Sequence, residues 1–127
     1  MGLAVWLGGL NLGGRFNLAA QPQSTPLSYT VEQASEGQFA YQARCATCHG
    51  EHMDDGEFGA PLKGVDFRRK WRLRSPEALF NLTRDTMPQD RPGILSDETY
   101  AQLLAYILQE NGSEPGAVEL PVDPEAL

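Results

Sequence analysis

Cys45-Ala46-Thr47-Cys48-His49 brings two thiols and an imidazole together within five residues. On a helical turn, residues three and four apart share a face, so Cys45 looks the same way as Cys48 and His49. This C-x-x-C-H spacing suits two thiols adding across the vinyl groups of a haem as thioethers. The histidine then lies beneath the iron as a nitrogen ligand. Three other readings account for less. A thioredoxin-like redox pair sits at the start of a helix that follows a strand, and no strand pattern precedes Cys45. A structural zinc site needs four ligands, and His52 is too close to His49 to complete one without more Cys or His. A plain disulfide leaves His49 without a role.

A ligand for the far side of the iron must come from a distant segment. Met53 follows His49 by four residues and is tied to the same side; Met1 is the initiator. Met87 remains, between a predicted helix end and Pro88, flanked by Asp85, Gln89 and Asp90. A thioether is a soft, neutral ligand that favours ferrous iron and raises the potential. The competing reading of Met87 is a core-filling side chain, which suits this polar loop poorly. His52 is the rival ligand and reads better as a surface histidine.

Three helices would position these groups. Thr30-Val31-Glu32-Gln33 offers a capping box, and a helix runs from there to about Arg44. Gly37, Tyr41 and Cys45 recur every four residues along one face. Ser75-Pro76-Glu77 starts a second helix, with an N-cap serine, proline at N1 and an acid in the first turn. It carries Leu79, Phe80 and Leu82 and stops before Met87-Pro88, because a residue that precedes proline is pushed out of the helical region. Ser96-Asp97-Glu98 starts a third. Tyr100, Leu103, Leu104, Ile107 and Leu108 form its apolar stripe, and Asn111-Gly112 ends it. Residues 50–74 show no sustained period, and Gly56, Gly59, Pro61 and Gly64 break regular structure there. No strand alternation and no repeat appear. The expected fold is all-α: three main helices and long loops. Three such helices bury little apolar surface alone, so a bound haem would complete the interior.

The domain expected from this pattern spans residues 30–112. Residues 21–29 read as a polar, Pro-containing linker and residues 113–127 as a loose tail. Residues 1–20 are apolar, Gly-rich and free of acids, and end in Leu18-Ala19-Ala20, as a signal peptide or its remnant would. The whole chain has 127 residues, 41% of them hydrophobic, 13 glycines and nine prolines. That suits one loop-rich domain. No stretch is long and apolar enough to span a bilayer. The formal net charge of −7 argues against a nucleic-acid partner, since phosphate binding needs clustered Lys and Arg. Positive charge gathers in one place: Lys63, Arg68, Arg69, Lys70, Arg72 and Arg74 are six of the ten basic residues. This segment reads equally as a solvated loop and as a docking or propionate-contacting surface.

Over most of residues 31–112 the chain resembles the class I cytochrome c family. Gly37-x-x-x-Tyr41-x-x-x-Cys45 is similar to that family's N-terminal helix, where the glycine lets the last helix cross closely. Leu103-x-x-Tyr106 resembles the partner face. Gly59-Ala60-Pro61-Leu62 resembles the loop whose proline carbonyl accepts the proximal histidine's ring N–H, which assigns that role to Pro61 and an orienting effect on His49. Thr86-Met87-Pro88 resembles the distal-ligand loop. Phe67 and Trp71 are similar in placement to aromatics of the haem pocket, and the resemblance implies a propionate hydrogen bond from Trp71; ordinary core packing is the alternative for both. The run MPQDRPGILSDETYAQLLAYILQENG, with GAVELP, resembles bacterial cytochromes that serve quinoprotein and related periplasmic dehydrogenases.

The resemblance implies one covalent haem c, with Cys45 and Cys48 as anchors and His49 and Met87 as axial ligands. With both axial positions filled, the iron only changes oxidation state. The expected role is therefore single-electron transfer in the periplasm of a bacterium, as part of a respiratory chain, with no small-molecule substrate and no enzymatic step. A quinoprotein dehydrogenase or a terminal oxidase is the expected kind of partner; an uncleaved leader would tether the chain at a membrane surface. Two rival readings stand beside this: a haem enzyme or gas sensor with a labile Met87, and a structural subunit of a dehydrogenase complex.

Overall fold

A computed structural model describes residues 26–127. The leader expected over residues 1–20 and the first part of the linker lie outside the described residues. The elements are α1 (Val31–Arg44), α2 (Ala46–His49), α3 (Val65–Trp71), α4 (Pro76–Thr86), α5 (Asp97–Glu110) and one 3₁₀ turn (Pro124–Ala126). Among the described residues there is no strand, and the fold is all-α.

Each long helix begins where a side chain rescues an N–H that the helix itself cannot satisfy. Thr30 accepts from the Gln33 N–H at 3.1 Å, Ser75 from Ala78 at 3.2 Å and Ser96 from Thr99 at 3.1 Å. Pro76 follows the second cap at the first helical position, where its missing N–H costs nothing. α4 ends at Thr86, and Met87 is extended, with φ −125° and ψ 149°, as a residue before proline must be.

α1 packs on α5 more extensively than any other pair of elements pack together. Gly37 permits it. A Cβ there would stand 1.9 Å from the Gln102 carbonyl oxygen and 2.9 Å from the Tyr106 Cβ. Four residues on, the Tyr41 and Tyr106 rings meet at 5.6 Å. Tyr100, Leu103, Leu104 and Ile107 of the α5 stripe are buried, and Leu108 is half-buried. Each such side chain contributes about 1.5–3 kcal/mol when removed from water. α4 joins this core through Leu79 and Phe80.

Three features differ from the sequence reading. First, α3 forms inside the region read as irregular. It has seven residues and buries only Phe67, so it carries no repeating apolar stripe for periodicity to detect. Second, Tyr29, at the end of the expected linker, is buried in the core, so the folded unit begins before residue 30. Third, residues 113–127 are not loose. The Gln33 side chain donates to the Leu120 carbonyl at 3.0 Å and accepts from the Leu120 N–H at 2.8 Å. Gly116 N–H donates to the Tyr29 carbonyl at 2.8 Å, and the Tyr29 hydroxyl donates to the Ser113 carbonyl. Leu120 is buried, and the 3₁₀ turn rests against α4. The capping box is thus half-used. Thr30 caps α1, but Gln33 turns away to pair with the tail's main chain.

Candidate functional site

The Cys–His segment is made by a break in the first helix. Cys45 ends α1, its N–H donating to the Tyr41 carbonyl at 2.8 Å, and with φ −123° it restarts the chain as α2. Its own carbonyl then accepts from Cys48 at 3.1 Å and His49 at 2.9 Å. One carbonyl therefore binds the second thiol residue and the histidine to the first. Cys45 is half-buried, Cys48 is exposed, and the two thiols are not bonded to each other.

The chain after His49 folds back beneath it. Gly50 has φ 90°, a conformation that glycine adopts without strain, and its carbonyl accepts from the Tyr41 hydroxyl at 2.6 Å. Met53, at φ 69°, is fully buried in the core. Gly59 N–H donates to the Cys48 carbonyl and Leu62 N–H to the Met53 carbonyl, both at 2.7 Å. These two bonds pin the loop on either side of Ala60 and aim its carbonyl at the histidine. The His49 Nδ1 lies 2.7 Å from the Ala60 oxygen. A Cβ on Gly59 would come within 2.5 Å of the same Nδ1.

That contact settles the imidazole tautomer. A carbonyl oxygen can only accept, so Nδ1 carries the proton and donates it. In the neutral ring the lone pair is then on Nε2, the nitrogen that can bind a metal. The acceptor corrects the reading that gave this role to Pro61. Pro61 is exposed and follows the acceptor residue, and the flanking main-chain bonds select the Ala60 carbonyl.

Burial, and secondarily Cys48, push the Cys45 thiol up to about 11, so it stays protonated at neutral pH. Thiol–disulfide exchange relies on a lowered thiol instead. Among the described residues no group of three or more His, Cys, Asp or Glu is arranged to hold a metal ion. His52 is 70% exposed and forms a 2.8 Å pair with Asp55, as a surface histidine should.

Met87 lies at the end of α4, half-buried, with both sides of its main chain held. Its N–H donates to the Thr83 carbonyl at 2.8 Å. Its carbonyl accepts from the Tyr100 hydroxyl at 2.7 Å. Trp71 is half-buried; its ring meets Phe67 at 6.1 Å and is flanked by Arg74 at 5.1 Å and Lys70 at 5.8 Å. Within the loop from Gly59 to Leu62 the sequence assigns no role to Gly59 or Ala60, and it assigns none at the site to Tyr100. Tyr100 reads there as core, and main-chain acceptors such as Ala60 have no residue-type signature.

The donor set fits a covalently held haem. Two thiols and a free Nε2 share one turn, and the ring that carries Nε2 is already oriented. Apolar surface is also left over. Phe58 is 82% exposed and Leu73 87%, with Val65, Leu82 and Ile94 exposed too, all in the segments between the Cys–His turn and the end of the Met87 loop.

No curated protein matches the chain. Residues 32–107 match the family model described as cytochrome C oxidase, cbb3-type, subunit III. That span runs from the first turn of α1 to the last buried residues of α5, and includes the Cys–His turn, the Ala60 loop and Met87. The chain belongs to this family of c-type cytochrome domains, which carry covalently bound haem c and move electrons.

Proposed function

We propose that this chain is a periplasmic carrier of single electrons with one haem c, accepting electrons from a quinoprotein or related dehydrogenase. Cys45 and Cys48 would anchor the group, and His49 and Met87 would be the axial ligands. The observation that carries the reading is the His49 ring, held through Nδ1 by the Ala60 carbonyl at 2.7 Å with Nε2 free.

When bound, the haem supplies an iron that changes oxidation state by one electron. The rest is the work of the chain. Cys45 and Cys48 would hold the group covalently against α2, so that its retention would not depend on affinity alone. The Ala60 carbonyl makes His49 a stronger donor and stops its ring from turning. The main chain of Met87, held on both sides, would present its thioether as a soft ligand, a donor that would raise the potential. With His49 and Met87 both as ligands, small molecules would find no open site, and this would separate a carrier from a haem enzyme or gas sensor.

The basic segment from Lys63 to Arg74 supports a carboxylate-rich partner surface, since the remainder of the chain is strongly acidic. Arg68, Arg72 and Arg74 are exposed. The leader-like residues 1–20 support export, and no helix among the described residues is long and apolar enough to cross a membrane. The description of the matched family favours one alternative partner, a terminal oxidase.

A visible spectrum of the ferric protein tests the ligand set. The reading expects the weak far-red band of methionine–iron ligation and little CO binding after reduction. Rapid CO binding with no such band would return the chain to the enzyme or sensor class. Stopped-flow reduction by a quinoprotein dehydrogenase, compared with oxidation by a terminal oxidase, separates the partners.

A further inference from the structure

We infer that Tyr100 is a positioning residue for the distal ligand: its hydroxyl, through the Met87 carbonyl, sets how much of the time the thioether is on the iron. This rests on the reading of Met87 as an axial ligand. Tyr100 belongs to the first turns of α5, thirteen residues beyond Met87, and is 1% exposed. Its ring is fixed edge-on against Phe80 of α4, with centroids 6.4 Å apart. In that position the hydroxyl donates to the Met87 carbonyl at 2.7 Å.

The loop between them needs such a tie. Residues 88–95 return the chain from α4 to α5 through two turns, Arg91 N–H to the Pro88 carbonyl at 2.9 Å and Ile94 N–H to the Arg91 carbonyl at 3.3 Å. Neither bond touches Met87. Its N–H is fixed by the last turn of α4, and without Tyr100 its carbonyl side would be free. A methionine side chain adds three rotatable bonds of its own. Holding the peptides on both sides of its Cα leaves only those bonds to be ordered when sulfur meets iron. Removing the hydroxyl leaves a partly buried carbonyl without a partner, a change that shifts a local equilibrium by about tenfold. A foreign ligand that needs the open form then binds tighter by the same factor, because its apparent affinity scales with the open population.

The test is imidazole binding to the ferric holoprotein, in the parent, Tyr100→Phe, Tyr29→Phe and Met87→Ala. Tyr100→Phe keeps the ring and its Phe80 contact and loses only the hydroxyl. Tyr29→Phe removes an equivalent tyrosine–carbonyl bond, to Ser113, away from the Met87 main chain. Tyr100→Phe is expected to bind imidazole about tenfold tighter than the parent, with a weakened far-red band. Tyr29→Phe is expected to match the parent in both readouts even where its melting temperature falls. Equal imidazole affinity in Tyr100→Phe and the parent overturns the inference, as does equal tightening in Tyr29→Phe. A parent without the far-red band, or a Met87→Ala that binds imidazole no tighter than the parent, overturns the ligand reading itself.

Discussion

The stretch from Cys45 to Leu62 and the stretch from Met87 to Ser96 are held in different ways. In the first, successive main-chain bonds tie residues 48, 49, 50, 59 and 62 to neighbouring carbonyls, and the Tyr41 hydroxyl adds another. Glycines at 50, 56 and 59 sit where any side chain would collide; a Cβ on Gly56 would lie 2.3 Å from the Cys48 carbonyl. In the second, Met87 is held by one helix-end bond and one tyrosine, and most of the loop beyond it is exposed. A ring oriented by many constraints hardly moves when one is removed. A side chain held by two is sensitive to each. The two faces of the proposed haem site should therefore respond differently to mutation. Changes near His49 threaten attachment and folding, whereas changes near Met87 shift a ligand equilibrium.

The largest effect should come from the first region. Cys45→Ser combined with Cys48→Ser is expected to abolish covalent haem, read as complete loss of haem stain after denaturing electrophoresis. Stain retained at full strength would break the attachment assignment. Met87→Ala is next. It should keep covalent haem, bind CO rapidly when reduced and lower the potential by on the order of 100 mV, within the roughly 0.8 V that axial ligands span. An unchanged potential would mean that another residue holds the distal position.

Two glycine substitutions sharpen the contrast between packing and site. Gly37→Ala meets the Gln102 carbonyl, main chain that cannot step aside, and should cost at least about 1–3 kcal/mol of stability in a denaturant titration. Its potential should match the parent. Gly59→Ala should cost comparable stability but also displace the His49 ring, changing the spectrum and potential. If the two variants had the same spectroscopic signature, the Ala60 loop would have no special relation to the imidazole.

The smallest effect belongs to the exposed His52–Asp55 pair. The Asp55 hydrogen bond raises the His52 pKa above its usual 6.5, and the same pair lowers that of Asp55 below 3.8. The histidine contributes fully below 6.5 and loses its contribution as pH rises through its higher folded value. The carboxylate contributes above 3.8 and loses its contribution as pH falls through its lower folded value. The pair therefore supports the fold most between those limits. His52→Ala should lower the melting temperature slightly between pH 3.8 and 6.5, and by progressively less as the pH rises above that window.

Much of the helical frame was legible because caps are local chemistry. Thr30, Ser75 and Ser96 stand within three residues of the N–H groups they satisfy, and Pro88 marks the end of α4 through steric contact with its own neighbour. The α5 stripe was legible because burial there repeats every three or four residues. The tail was not. Gln33 reaches Leu120 across 87 positions through main-chain atoms, which any residue could offer. α3 was missed because one buried phenylalanine makes no period. In the site, the residue types that could anchor and ligate were readable from Cys45 to His49. The carbonyl that orients the ring was placed one residue late, at Pro61, because proline is conspicuous and a main-chain oxygen is not. Tyr100 was read as core, which it is, while its hydroxyl does a second task that only its position relative to Met87 reveals.

Nitrogen of His49 and sulfur of Met87 are proposed to bind one iron from opposite faces. Proton NMR of the reduced holoprotein tests it most directly, since a methyl group held over a haem face resonates far upfield of any ordinary protein signal. The account predicts one such methionine methyl, present in the parent and absent in Met87→Ala. No upfield methyl in the parent, or one that survives in Met87→Ala, would contradict it.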